Sequence, residues 1–116
     1  MKRGKEVYDY IIGLLANDNI EEIYIIDDAK LRTIDKDNCR NVLGLFSVSE
    51  VVAFVEYFVY VVRTCSPGLN VDLNDEFTFP CKVDVFGKEK KISFSAVLSD
   101  KLIVFPQFNI RVRDNV

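Results

Sequence analysis

The chain has 116 residues, a formal net charge of -3 and 49% hydrophobic residues, which bounds it as one ordinary domain with enough apolar material for a core. The acidic balance disfavours non-specific attachment to nucleic acid or an anionic membrane, since both need a basic surface. Histidine is absent, and with it go the Ser-His-Asp and Cys-His arrangements, the commonest general base near neutral pH and the commonest metal ligand.

Residues 4–17 read as the first helix, with Val7, Ile11, Leu14 and Leu15 in one apolar stripe. Asn17-Asp18-Asn19 stops it. Ile20 to Ile26 then reads as a strand of bulky, partly buried residues. Asp27-Asp28 turns into a second strand, Lys30 to Asp35, and a further acidic turn leads to CRNVLGLF, which holds a third. Asp27, Asp28, Asp35 and Asp37 lack the spacing, central glycine and final glutamate of a calcium loop, so they read as solvated turns.

The longest apolar run is Ser47 to Thr64. Ser47 and Glu50 form a capping box, in which each side chain takes the other residue's amide. Val48, Val51, Val52, Val55, Phe58, Val59 and Val62 recur at helical spacing. Phe54 and Val61 lie off that stripe, which predicts a helix over 48–64 buried on more than one side. Glu50, Glu56 and Arg63 interrupt the run, and it is too short for a membrane span. Tyr57 and Tyr60 read as packing residues with hydroxyls at the edge.

Ser66-Pro67-Gly68 breaks the chain, and Leu69 to Leu73 reads as a short strand. A hairpin follows: Cys81 to Phe86, a turn at Gly87-Lys88-Glu89-Lys90, then Lys91 to Leu98. Val83 and Val85 alternate with Lys82 and Asp84; Ile92, Phe94 and Ala96 alternate with Ser93 and Ser95. After a turn at 99–101 come LIVF at 102–105 and a last strand, Gln107 to Arg113. There Phe108, Ile110 and Val112 face one way and Gln107, Asn109, Arg111 and Arg113 the other. Phe77, Phe79, Phe86, Phe94, Phe105 and Phe108 read mostly as core. The expected fold is α+β: a mixed, mostly antiparallel sheet of about five to seven strands packed on the long central 48–64 helix, with an N-terminal helix over 4–17, in a single domain over 1–116.

Cys39, Cys65 and Cys81 are widely separated, with no Cys-x-x-Cys pair, so a structural zinc site is not expected. They read as small buried hydrophobes in a reduced, cytoplasmic protein, though a disulfide between two of them stays open. The start, MKRGKEVYDY, lacks the apolar run of a signal peptide. There is no GxxxxGK followed by Ser or Thr and no GxGxxG. No enzyme is expected and no cofactor is implied. Lys88, Lys90 and Lys91 at the hairpin turn, with Arg111 and Arg113 on the last strand, are the candidate contacts to a phosphate or a partner. The bland alternative is a charged turn that blunts a sheet edge.

Four short motifs, in order, carry a resemblance. They are NDNIEEIYI at 17–25, Phe46-Ser47-Val48-Ser49-Glu50, the segment from Pro80 through Phe94, and Phe108-Asn109-Ile110-Arg111. Together they resemble the N-terminal domain of secretion (traffic) ATPases, the family that powers type II and type IV secretion, over about residues 5–113. The family's Pro-Asp-Gly turn is replaced by FGKEKK, its following arginine becomes Lys91 or is missing, and no phosphate loop follows. The resemblance implies a mixed sheet flanked by helices, a part in building a hexameric ring, and arginines near the nucleotide bound at the domain junction or by a neighbour. Arg111 stands on the family's position, with Arg113 on the same strand face. The expected function is therefore a non-catalytic protein-interaction or oligomerisation module, its partner a second copy or a separate phosphate-loop ATPase. The alternatives are a small nucleic-acid-binding protein that uses the basic hairpin and last strand, and a small ligand-binding domain with a pocket under the central helix. Membrane insertion is not expected.

Overall fold

A computed structural model describes residues 2–26, 28–98 and 105–113. The described elements are α1 (Lys2–Gly13), a 3-10 turn (Leu14–Ala16), β1 (Ile20–Ile25), β2 (Lys30–Asp35), β3 (Arg40–Leu45), α2 (Val48–Cys65), β4 (Phe77–Val85), β5 (Lys88–Val97) and β6 (Gln107–Val112). The strands form one sheet in the order β3-β2-β1-β6-β5-β4. Every pairing among them is antiparallel, so the sheet is not mixed. Each half is a meander, and the last strand closes the sheet by slotting between β1 and β5.

The capping box forms as the sequence predicts: Ser47 Oγ accepts from the Glu50 amide at 3.2 Å, and Glu50 Oε1 accepts from the Ser47 amide at 2.9 Å. The 18 residues of α2 make a helix about 27 Å long at 1.5 Å per residue. Five strand spacings of about 4.8 Å make the sheet about 24 Å wide. One helix therefore carries the chain from the β3 edge to the β4 edge. It is not a central helix wrapped by the sheet. It lies on one face beside α1, which accounts for its two buried sides.

The core fills the space between this helical layer and the sheet. Phe54 and Phe58 of α2 are fully buried. Phe58 stacks on Phe94 of β5 with ring centroids 3.9 Å apart, and Phe54 meets Phe108 of β6 at 4.8 Å. Val7 and Ile11 of α1 and Leu15 of the 3-10 turn join the same cluster, as do Ile23, Leu31, Val83 and Ile110 from the strands. The opposite face of the sheet has no helix on it among the described residues. It carries Lys82, Lys91, Ser93, Ser95, Asn109 and Arg111, none of them buried.

Several expectations are corrected. The first helix ends at Gly13 because Asn17 is extended and its Oδ1 accepts from the Asn19 amide, so a turn replaces a further helical turn. Leu69–Leu73 is not a strand. The Val71 carbonyl accepts from Arg63 of α2 at 2.7 Å, and Asp72 caps its own turn through the Asn74 amide. Val48 is exposed rather than core. The LIVF strand falls on residues that, up to 104, lie outside the described ones.

Candidate functional site

The β4–β5 hairpin sets the geometry of the basic residues. Its turn is Phe86-Gly87, with φ of 51 and 84°, the two-residue turn whose twist suits a hairpin. Lys88, Glu89 and Lys90 are therefore strand residues, not the turn that the sequence suggested. Val85 pairs with Lys88, Val83 with Lys90 and Lys82 with Lys91. Phe86, expected in the core, stands 84% exposed at the tip.

This register divides the five predicted contact residues. Lys90 shares the phase of Ile92, Phe94 and Ala96 and turns inward. Its side chain is 7% exposed, and its ammonium donates to Asp18 Oδ1 at 2.7 Å. It tethers the turn before β1 to the hairpin and is unavailable as a phosphate or partner contact. Lys88 lies 3.7 Å from the same carboxylate. The hydrogen bond from Lys90, and then the charge of Lys88, lower the Asp18 pKa from its ordinary value. Arg111 stands on the uncovered face 3.8 Å from Glu22, whose carboxylate also accepts from Asn109.

Lys91 and Arg113 do come together, and Lys82, which the sequence reading passed over, joins them. The Arg113 amide donates to the Lys91 carbonyl at 2.8 Å, continuing the β5–β6 ladder past Ile92–Val112. Three cations thus stand abreast on adjacent strands of the uncovered face. A concavity of about 320 Å³ beside them is lined by Pro80, Cys81, Lys82, Lys91 and Arg113. Lys82 was legible in principle: once the turn is set at Phe86-Gly87, Lys82 mirrors onto Lys91.

A second feature lies at the far edge. Among the described residues β3 pairs with β2 on one side only, and it carries Val42 at 59% and Leu45 at 74% exposure, with Leu43 also exposed. Leu43 is the extra residue of a bulge, because Leu31 pairs with Gly44 and Arg32 with Val42. Leu43 faces the helical side, where it shares a groove with Leu14.

Space beneath α2 is filled by the aromatic core. The groove that Tyr57 and Tyr60 line opens outward beside Gly4, between the two helices. Among the described residues no group of three His, Cys, Asp or Glu is placed to hold a metal ion, and no helix is long and apolar enough to cross a membrane. All three cysteines are free thiols. Cys39 and Cys65 are exposed, against expectation: Cys39 precedes β3 and Cys65 is the last residue of α2. Cys81 is half-buried, and burial pushes its thiol pKa up to about 11.

No protein-family model matches the chain, and no curated protein matches it. The likeness to the secretion ATPase N-terminal domain therefore rests on the four motifs alone.

Proposed function

We propose that this chain is a non-catalytic oligomerisation module, as its resemblance to the secretion ATPase N-terminal domain implies, and that copies join through β3. The observation that carries the reading is the contrast between the two sheet edges. β4 is guarded by Pro80, Lys82 and Asp84, all exposed, the devices that keep an edge from pairing. β3 has no proline and no lysine, and its only such devices are Arg40 at one end and the bulge at Leu43. It offers unpaired backbone groups flanked by exposed Val42, Leu43 and Leu45.

A second copy is the occupant that this asymmetry favours. A guarded β4 disfavours head-to-tail β3–β4 growth, so the open edge is left to pair with itself in a closed two-fold contact, which gives a dimer and not the hexameric ring that the resemblance implies. Antiparallel self-pairing centred on Val42 sets Arg40 opposite Gly44 of the second copy, so no like charges oppose each other there. The β3 bulge shortens the usable edge and favours one register over sliding ones.

The test is sedimentation of the purified chain over a range of concentrations, with Val42→Lys and Leu45→Lys as variants. Concentration-dependent association that both lysines abolish supports the reading. A wild-type chain that stays monomeric at the highest soluble concentration overturns it, and association that survives both lysines moves the contact away from β3.

A further inference from the structure

We infer that Lys82, Lys91 and Arg113 form a binding site for a phosphate group on the uncovered face of the sheet. The inference does not depend on association through β3, which is at the opposite edge.

Lys82 and Lys91 are direct cross-strand partners, and Arg113 bonds to the Lys91 backbone. The three therefore occupy one row across β4, β5 and β6, spanning about 10 Å at about 4.8 Å per strand spacing. Like charges directly opposite one another destabilise a sheet, so the row works against the fold unless an anion lies on it.

Neighbouring cations are treated differently. Lys90 and Lys88 share Asp18, Arg111 has Glu22, and Arg32 has Asp28 at 2.7 Å. Within the row, Lys82 has only Glu89 among the described residues, at 3.8 Å and well exposed. Lys91 and Arg113 form no ion pair among the described residues. The concavity beside the row contains no carboxylate among its described residues, and Pro80 gives it a rigid wall.

The class of ligand follows from what brackets the row. On the hairpin side the next cross-strand pair is Asp84 and Glu89. Towards β1, Glu22 sits opposite Arg111. A long polyanion crossing this face would meet carboxylates on both sides of the row. A compact, multiply charged oxyanion touches the cations alone. The planar fork of Arg113 suits two oxygens of a phosphate, and the two ammonium groups supply point charges.

The experiment is titration of the isotope-labelled chain with pyrophosphate at constant ionic strength, followed by amide and side-chain NMR shifts. The expected result is a saturable set of shifts centred on Lys82, Lys91 and Arg113. Lys91→Gln should weaken the affinity about tenfold, as for loss of one charge-assisted contact, while Lys88→Gln leaves it unchanged. The spectrum of each variant reports whether it remains folded. Linear, non-saturating shifts overturn the site, as does an unchanged response in a Lys91→Gln/Arg113→Gln variant. Saturable binding of a short single-stranded oligonucleotide at these residues, with none of pyrophosphate, overturns the compact-phosphate assignment and gives the row to nucleic acid.

Discussion

Gly4 offers a sharp test of how closely the two helices pack. It lies on α1 against α2, where an added Cβ would stand 2.8 Å from the Ala53 carbonyl oxygen and 3.3 Å from Tyr57 Cβ. The nearer obstacle is helix backbone, which cannot rotate aside, so Gly4→Ala must push α1 off α2 or unwind its first turn. Replacing glycine by alanine inside a helix ordinarily gains about 1 kcal/mol, whereas overpacking a close contact costs about 1–3 kcal/mol. The difference predicts a net loss of roughly 1 kcal/mol, a fall in Tm of roughly 4 °C for a chain of this size. Fraying of the first turn caps the loss near that figure. Gly13→Ala is the internal control. It ends the same helix at an ordinary helical φ of -60°, and its Cβ would meet only the Phe86 ring at 3.5 Å. That variant should gain about 0.5–1 kcal/mol. Thermal and urea unfolding followed by circular dichroism would measure both. If both variants are stabilised alike, the inferred closeness of α1 and α2 is wrong.

Three further outcomes follow from local chemistry. Phe86 adopts a left-handed φ of 51° at an exposed tip, so Phe86→Asn should raise stability by roughly 1 kcal/mol in chemical denaturation; a loss would mean that the ring's contact at Gly13 outweighs the backbone strain. The Arg32 guanidinium and the Lys30 amide hold the Asp28 pKa at about 2, below its ordinary 3.8. A carboxylate depressed in the folded state contributes stability above its unfolded pKa and loses it as pH falls through the folded one. Carboxyl NMR should thus place the Asp28 midpoint near 2, and Arg32→Gln should return it towards 3.8. With its thiol near 11 and half-buried, Cys81 should react slowly with a disulfide reagent at neutral pH while Cys39 and Cys65 react fast; equal rates for all three would contradict the packing of β4.

What was legible in the sequence was what local chemistry dictates. Ser47 and Glu50 fix the start of α2 whatever surrounds them, and the alternation from Phe108 to Arg113 gave the two faces of β6 correctly. What was not legible depended on tertiary partners. Lys90 looked like a turn residue because GKEK is polar, but its period-two phase with Ile92 sends it inward, and Asp18, 72 residues away, receives it. Leu69–Leu73 looked like a strand because Leu69, Val71 and Leu73 alternate with Asn70 and Asp72; Arg63 holds its backbone against α2 instead. CRNVLGLF was read as a strand, yet nothing local says that it sits at an edge. Strand order depends on β6 returning to the middle of the sheet, which leaves β3 at one edge of the described strands. The cation row needs that same order, together with a turn centred two residues earlier than the one read at 87–90.

The seam between β1 and β6 joins the two halves of the sheet, and its polar side separates what holds the fold from what is free to bind. Glu22 is partly buried there and has two partners: Asn109 donates to it directly across the seam, while Arg111 stands 3.8 Å away and is mostly exposed. A hydrogen bond to a charged acceptor contributes about 1.5–3 kcal/mol, whereas an exposed ion pair at such a distance contributes below about 1 kcal/mol. Asn109→Ala should therefore cost more than Arg111→Ala and Arg113→Ala combined, and a cycle with Glu22→Gln should show the larger coupling to Asn109. Unfolding in urea at low and high salt separates the two, since only the Arg111 contact is strongly screened. A double arginine variant that loses several kcal/mol would show that these guanidiniums support the seam. A small loss leaves Arg113 external, able to meet an anion without cost to the fold.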